Sequence, residues 1–142
     1  MNDFIASLFE LWGNAQFGDF SNDMFQEGEG SFYLQIFLIM VILTIVVPVL
    51  YYYVIDNARL NRWYYWLLFN FGTAIVNFIF SWVCSSESIA NYYYQEQLEC
   101  PSYGVVPYFT LSLIVAMWSM IFFFVVSLII KWKSKNSCYS PF

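Results

Sequence analysis

Three long runs without a charged side chain constrain the fold of this chain more than any other feature. They cover residues 32–55, 63–84 and 108–130. A helix needs about 20 apolar residues to cross the hydrocarbon core of a bilayer, so each run is long enough. Because lipid offers no hydrogen-bond partners, a spanning segment must satisfy its own backbone, which favours helices. The sequence therefore predicts an all-α integral membrane protein with three transmembrane helices.

The segments between these runs complete the predicted organisation. Residues 56–62 form a turn so short that the first two spans make a tight antiparallel hairpin. Residues 85–107 form a loop on the opposite side, and residues 131–142 form a basic tail. Residues 1–31 form an acidic segment that contains a short amphipathic helix over 3–13.

Basic residues occur in only two places in the sequence. Arg59 and Arg62 lie in the first turn, and Lys131, Lys133 and Lys135 follow the third span. Because basic loops are retained in the cytoplasm, both places are predicted to be cytoplasmic, with the N-terminus outside. The rings of Trp63–Trp66 then form an aromatic belt at the inner interface. This asymmetry favours a bacterial inner membrane, and an organellar or viral membrane stays open.

The N-terminal helix carries an apolar stripe without nearby basic residues. Phe4, Leu8 and Trp12 recur at helical spacing. Such a stripe either lies on the outer membrane surface or packs on protein, and the absence of lysine and arginine favours protein. The next stretch is polar but contains several large apolar side chains, which is typical of a docked segment rather than of a free linker. These side chains are Phe17, Phe20, Met24 and Phe25.

Polar residues inside the second span share one helix face. Asn70, Thr73, Asn77 and Ser81 follow each other at intervals of three, four and four residues. The third span repeats the pattern more weakly with Ser112, Ala116 and Ser119. Such a seam is either a helix-packing face, where amides and hydroxyls bond across to neighbours, or the lining of a polar pathway. Packing is favoured because no charged residue accompanies the seam.

The predicted outer side contains a cysteine pair and a tyrosine cluster. Cys84 and Cys100 both fall there, so in an oxidising compartment they can form a disulfide; the alternative is two unrelated thiols. Tyr92, Tyr93 and Tyr94 lie in the same loop. Exposed tyrosines without lysine are typical of protein contact surfaces, and the alternative is a helix lying in the headgroups.

The sequence offers little material for catalysis. It contains no histidine, which removes the commonest metal ligand and general base. We find no nucleophile–base pair, carboxylate pair or metal cluster, and we predict no cofactor. The net charge of −5 argues against nucleic acid. We therefore expect the protein not to be an enzyme.

These observations predict a non-enzymatic integral subunit, an anchor or scaffold, of a larger multi-protein membrane complex such as a secretion, respiratory or envelope assembly. Its expected partners are membrane lipid and other integral membrane proteins. One alternative is a homo-oligomeric pore, similar to a holin, lined by the polar face of the second span. Another is a small accessory or immunity-type factor that binds one membrane protein through its outer face.

Overall fold

The described part of the chain is built from helices. The computed structural model describes residues 2–10, 14–25, 32–55, 63–95, 97, 99 and 102–131. Its helices are α1 (Asn2–Glu10), α2 (Asn14–Phe25), α3 (Phe32–Val49), α4 (Trp63–Gln95) and α5 (Val105–Lys131). A six-residue π-helical segment, Leu50–Ile55, continues α3. Among the described residues, three stretches are long and apolar enough to cross a membrane: Phe32–Tyr53, Trp63–Gln95 and Val105–Ile130.

Helix α4 buries mostly small and polar side chains and exposes large apolar ones, and α3 and α5 also expose many large apolar side chains. On α4 the buried face includes Asn70, Asn77 and Ser81, whereas Leu68 and Ile75 on the outer face are 65% and 58% exposed. In water this arrangement would leave a large apolar surface uncovered, which soluble monomers rarely do. In lipid it is favourable, because lipid solvates the large side chains and small residues let helices approach closely. The packing therefore supports the predicted membrane protein.

Pro48 lies where α3 changes its hydrogen-bonding pattern. Proline has no N–H group and its ring clashes with the carbonyl four residues earlier, so it interrupts regular α-helical bonding. The α-helix ends at Val49 and the π-helical segment begins at Leu50. Short π-helical segments mark local irregularities of this kind in helices. In the segment, Tyr51 and Tyr52 are buried against Trp66 and Phe123, so the wider turn packs these rings at one end of the bundle.

Helix α4 is longer than the predicted second span. Its 33 residues rise about 50 Å, whereas the hydrocarbon core is about 30 Å thick. The helix continues through Gln95, so the first part of the predicted loop 85–107 is helical. The loss of hydrophobicity after Cys84 marks the end of the apolar run and not the end of the helix, since Ser85 and Ile89 remain buried on the same face.

The N-terminal residues form two helices that pack on the bundle. The amphipathic helix predicted over 3–13 corresponds to α1, and the polar stretch after it forms α2. Ile5 and Phe9 of α1 and Phe20 and Met24 of α2 are buried in one apolar core with α3, α4 and α5. The turn 56–62 lies outside the described residues, so the tight hairpin between the first two spans stays a prediction.

Candidate functional sites: a polar seam and an end cap

The predicted polar face of α4 is buried inside the bundle. Asn77 and Ser81 are 1% and 0% exposed, and Asn70 and Thr73 are also buried. Thr73 donates its hydroxyl proton to the carbonyl of Phe69 at 2.8 Å. Four buried side-chain atoms have no hydrogen-bond partner within the described residues: Asn70 Oδ1, Asn77 Oδ1, Asn77 Nδ2 and Ser81 Oγ. This face of α4 is therefore buried and has unused hydrogen-bonding capacity.

The predicted small-residue face of α5 is buried as well. Ser112 and Ser119 are fully buried, and Ala116 between them is half-buried. Both hydroxyls are satisfied within α5, because Ser112 donates to the carbonyl of Tyr108 and Ser119 donates to the carbonyl of Ala116, each at 2.8 Å. These serines therefore permit close helix approach without needing a partner on another helix.

Aromatic contacts align α4 and α5 in an antiparallel register. Near one end, Trp66 Nε1 donates to Ser127 Oγ at 3.2 Å. Towards the other end, the ring centroids of Trp82 and Phe109 lie 6.3 Å apart. This register brings the buried polar face of α4 and the buried serines of α5 to the same levels of the bundle. We call the set Asn70, Thr73, Asn77, Ser81, Ser112, Ala116 and Ser119 the polar seam.

Asp23 ties α2 to the ends of two long helices. Its Oδ2 accepts a hydrogen bond from the Tyr93 hydroxyl at 2.7 Å and another from the Tyr103 hydroxyl. The Phe20 ring packs edge-on against Tyr103 and Tyr108, with ring centroids 5.5 and 5.0 Å away. Burial and the bond to Asp23 raise the pKa of Tyr103 above its usual value, so this hydroxyl keeps its proton and remains a donor. We use the name end cap for α1, α2 and the helix ends that they contact, which include the segments around Tyr93 and Tyr103.

A second set of bonds secures α1 beside α3 and α5. Glu10 Oε1 accepts hydrogen bonds from the hydroxyls of Ser21 and Tyr33. Trp118 Nε1 donates to the carbonyl of Leu8 at 3.1 Å. Near the end of a short helix this carbonyl needs a partner from outside the helix, and the indole provides it. The end cap is therefore held by polar bonds from α3, α4 and α5 as well as by its buried apolar side chains.

The predicted partner-contact residues take different positions in the cap. Phe4 and Tyr94 are 69% and 84% exposed. Leu8 is half-buried against the protein's own core, and Tyr93 uses its hydroxyl on Asp23. Tyr92 is half-buried with its ring edge-on to Tyr93. Trp12 lies outside the described residues, and among the five described members of this set Phe4 and Tyr94 have widely exposed rings.

Several further predictions fall outside the described residues. Cys84 is half-buried, with its Sγ 4.0 Å from Ser88 Oγ. Because Cys100 is not among the described residues, the predicted disulfide stays a prediction. The same holds for the topology determinants Arg59, Arg62, Lys133 and Lys135, and for the side chain of Lys131.

Comparison of the chain with protein-family models, with curated proteins and with solved structures found no match. A function for this protein must therefore be argued from its own geometry.

Sequence reasoning missed the residues that hold the end cap together. Asp23, Tyr103 and Glu10 lie in polar stretches, and Trp118 lies in an otherwise apolar span. The sequence signal for this region is the large apolar side chains of residues 14–25, which indicate a docked segment. That signal does not name the docking partner, because Asp23 and Tyr103 are 80 residues apart.

Proposed function

We propose that the protein is a non-enzymatic integral membrane subunit that anchors or scaffolds a larger multi-protein membrane complex. The observation that carries this proposal is the end cap. Polar bonds and buried side chains fix it on the bundle, and it presents Phe4 and Tyr94 to its surroundings. Rigid, exposed aromatic rings are typical anchors of protein interfaces.

An apolar groove between α3 and α4 also supports the proposal. It measures about 440 Å³ and is lined by seven residues: Leu43, Val47, Leu68, Phe69, Gly72, Thr73 and Val76. A Cβ atom added to Gly72 would meet no atom within 4 Å, so this part of α4 is open. Helices in membranes associate through close packing at small residues, and a subunit of a larger assembly needs such a surface.

We propose that the protein lies in a bacterial inner membrane with its end cap on the extracytoplasmic side. Both basic segments of the sequence then lie in the cytoplasm, and the first two spans are joined there by the short turn 56–62. At the opposite end from the cap, Trp63 and Tyr64 are 59% and 42% exposed. Exposed rings of this kind are typical of residues at a membrane interface.

A homo-oligomeric pore receives less support than a subunit. Its proposed lining, the Asn70, Asn77 and Ser81 face, is buried against the protein's own helices. To line a conduit between copies, this face would have to leave the bundle, and large apolar residues such as Ile75 would have to replace it inside. The fold therefore favours the packing function of the seam.

The proposal is tested by site-specific photocrosslinking in cells at native expression. A photoreactive residue replacing Tyr94 is expected to give crosslinks of discrete mass to another membrane protein. The control replaces Ile42, which is 56% exposed on the membrane-facing side of α3 and lies outside the end cap. Crosslinks from position 94 only to lipid, or only to a second copy of this chain, would contradict a hetero-oligomeric subunit that docks through its cap.

A further inference from the structure

Three side chains of the polar seam contain buried polar atoms that have no hydrogen-bond partner among the described residues, whereas four other buried hydroxyls are bonded within their own helices. Thr73, Ser112 and Ser119 satisfy their hydroxyls on carbonyls of their own helix. Thr44 of α3 does the same with the carbonyls of Met40 and Val41. Asn70, Asn77 and Ser81 instead leave four polar atoms without a partner in the part of the chain that the structure describes.

These four atoms lie well inside the bundle. Asn77 and Ser81 are at least 99% buried, and Asn70 is 8% exposed. They lie on one face of α4, and the eleven-residue step from Asn70 to Ser81 corresponds to a rise of about 16 Å. A buried polar group without a hydrogen bond is costly, and the surrounding lipid cannot supply one. The face therefore requires a hydrogen-bonding partner.

The chemistry of the three side chains defines that partner. Asn77 offers two donor protons and one acceptor oxygen, Ser81 offers a donor and an acceptor, and Asn70 offers an acceptor oxygen. The partner must therefore both donate and accept. It must be uncharged, because no charged residue occurs in the apolar runs around it. It must also be small, since the serines of α5 allow this helix to approach closely.

We propose that ordered water molecules bind along Asn70, Asn77 and Ser81 in the interior of the bundle. Buried water typically makes about three hydrogen bonds to groups that would otherwise be unsatisfied, and this face supplies both donors and acceptors. The bundle then contains a hydrated site within the membrane region. This site is distinct from the end cap and does not depend on the proposed partner complex.

The test is magnetisation transfer from water to side-chain amides in the full-length protein, measured by solid-state NMR in lipid bilayers. We expect transfer from water to the Asn77 side-chain amide. Asn91, which is exposed near the end of α4, serves as the positive control. Transfer to Asn91 together with none to Asn77 would overturn the proposal, because the seam would then exclude water.

Two conservative variants sharpen this test without introducing bulk. Ser81→Ala removes an unpartnered hydroxyl and is expected to reduce water transfer to Asn77. Ser112→Ala removes a hydroxyl already bonded to Tyr108 and is expected to leave the transfer unchanged. Equal effects of both variants, or no effect of either, would contradict a water site that includes Ser81.

Discussion

Replacing Asp23 with alanine is expected to release α2 from the bundle while the three spanning helices stay folded. The carboxylate accepts two tyrosine hydroxyls, from Tyr93 of α4 and from Tyr103 before α5. A hydrogen bond to a charged group contributes about 1.5–3 kcal/mol, so at the lower end of this range losing both weakens docking by about 3 kcal/mol. Since 1.4 kcal/mol corresponds to a tenfold change in an equilibrium constant, the open population of the cap rises on the order of 100-fold.

Backbone hydrogen exchange measured by mass spectrometry in lipid nanodiscs reports this release. Protection over residues 14–25 is expected to fall in Asp23→Ala, while protection in the middle of α5 stays the same. Asp19→Ala is the matched control, because Asp19 lies on the same helix and is exposed. Tyr93→Phe and Tyr103→Phe each remove one bond and are expected to give intermediate losses. Unchanged protection in Asp23→Ala would contradict a role for the two Asp23 bonds in holding α2 on the bundle.

Replacing Ser119 with leucine is expected to force α5 away from its neighbours. Ser119 is fully buried, and its hydroxyl bonds to the carbonyl of Ala116 within the same helix. Leucine introduces a branched side chain into a closely packed position, and overpacking of this kind costs about 1–3 kcal/mol. Ser119→Ala keeps the small volume and removes only a local bond, so its effect is expected to be much smaller.

The unfolding midpoint of the purified protein in mild detergent measures this cost. Ser119→Leu is expected to unfold at a lower temperature than the unsubstituted protein, and Ser119→Ala close to it. Met117→Leu supplies a control on the same helix, because Met117 is 38% exposed and the substitution nearly conserves volume. Equal midpoints for the leucine and alanine variants at position 119 would contradict the close packing of the polar seam.

The sequence predicts the three long apolar helices, and it places the polar residues of α4 on one helix face, because both depend on local patterns. An uncharged apolar run of sufficient length has few structural alternatives in lipid. The spacing of Asn70, Asn77 and Ser81 follows the helical period, so the three share a face, and the structure buries that face. Ser112 and Ser119 also follow the helical period, and the structure buries both of them.

The end cap could not be predicted in the same way, because it depends on contacts between distant parts of the chain. Helix α2 has a polar sequence, and Phe20 and Met24 become buried only against other helices. The continuation of α4 to Gln95 follows the buried residues Ser85 and Ile89 rather than hydrophobicity. Trp118 resembles a lipid-facing aromatic residue in sequence, and its bond to Leu8 connects positions 110 residues apart.

The proposed function places this chain in a hetero-oligomeric membrane complex. Its most direct test is purification of a C-terminally tagged copy, at native expression and in mild detergent, followed by mass spectrometry and native-mass sizing. We expect several different proteins to co-purify with this chain at a fixed ratio. A particle that contains only copies of this chain would contradict it and would favour a homo-oligomeric assembly.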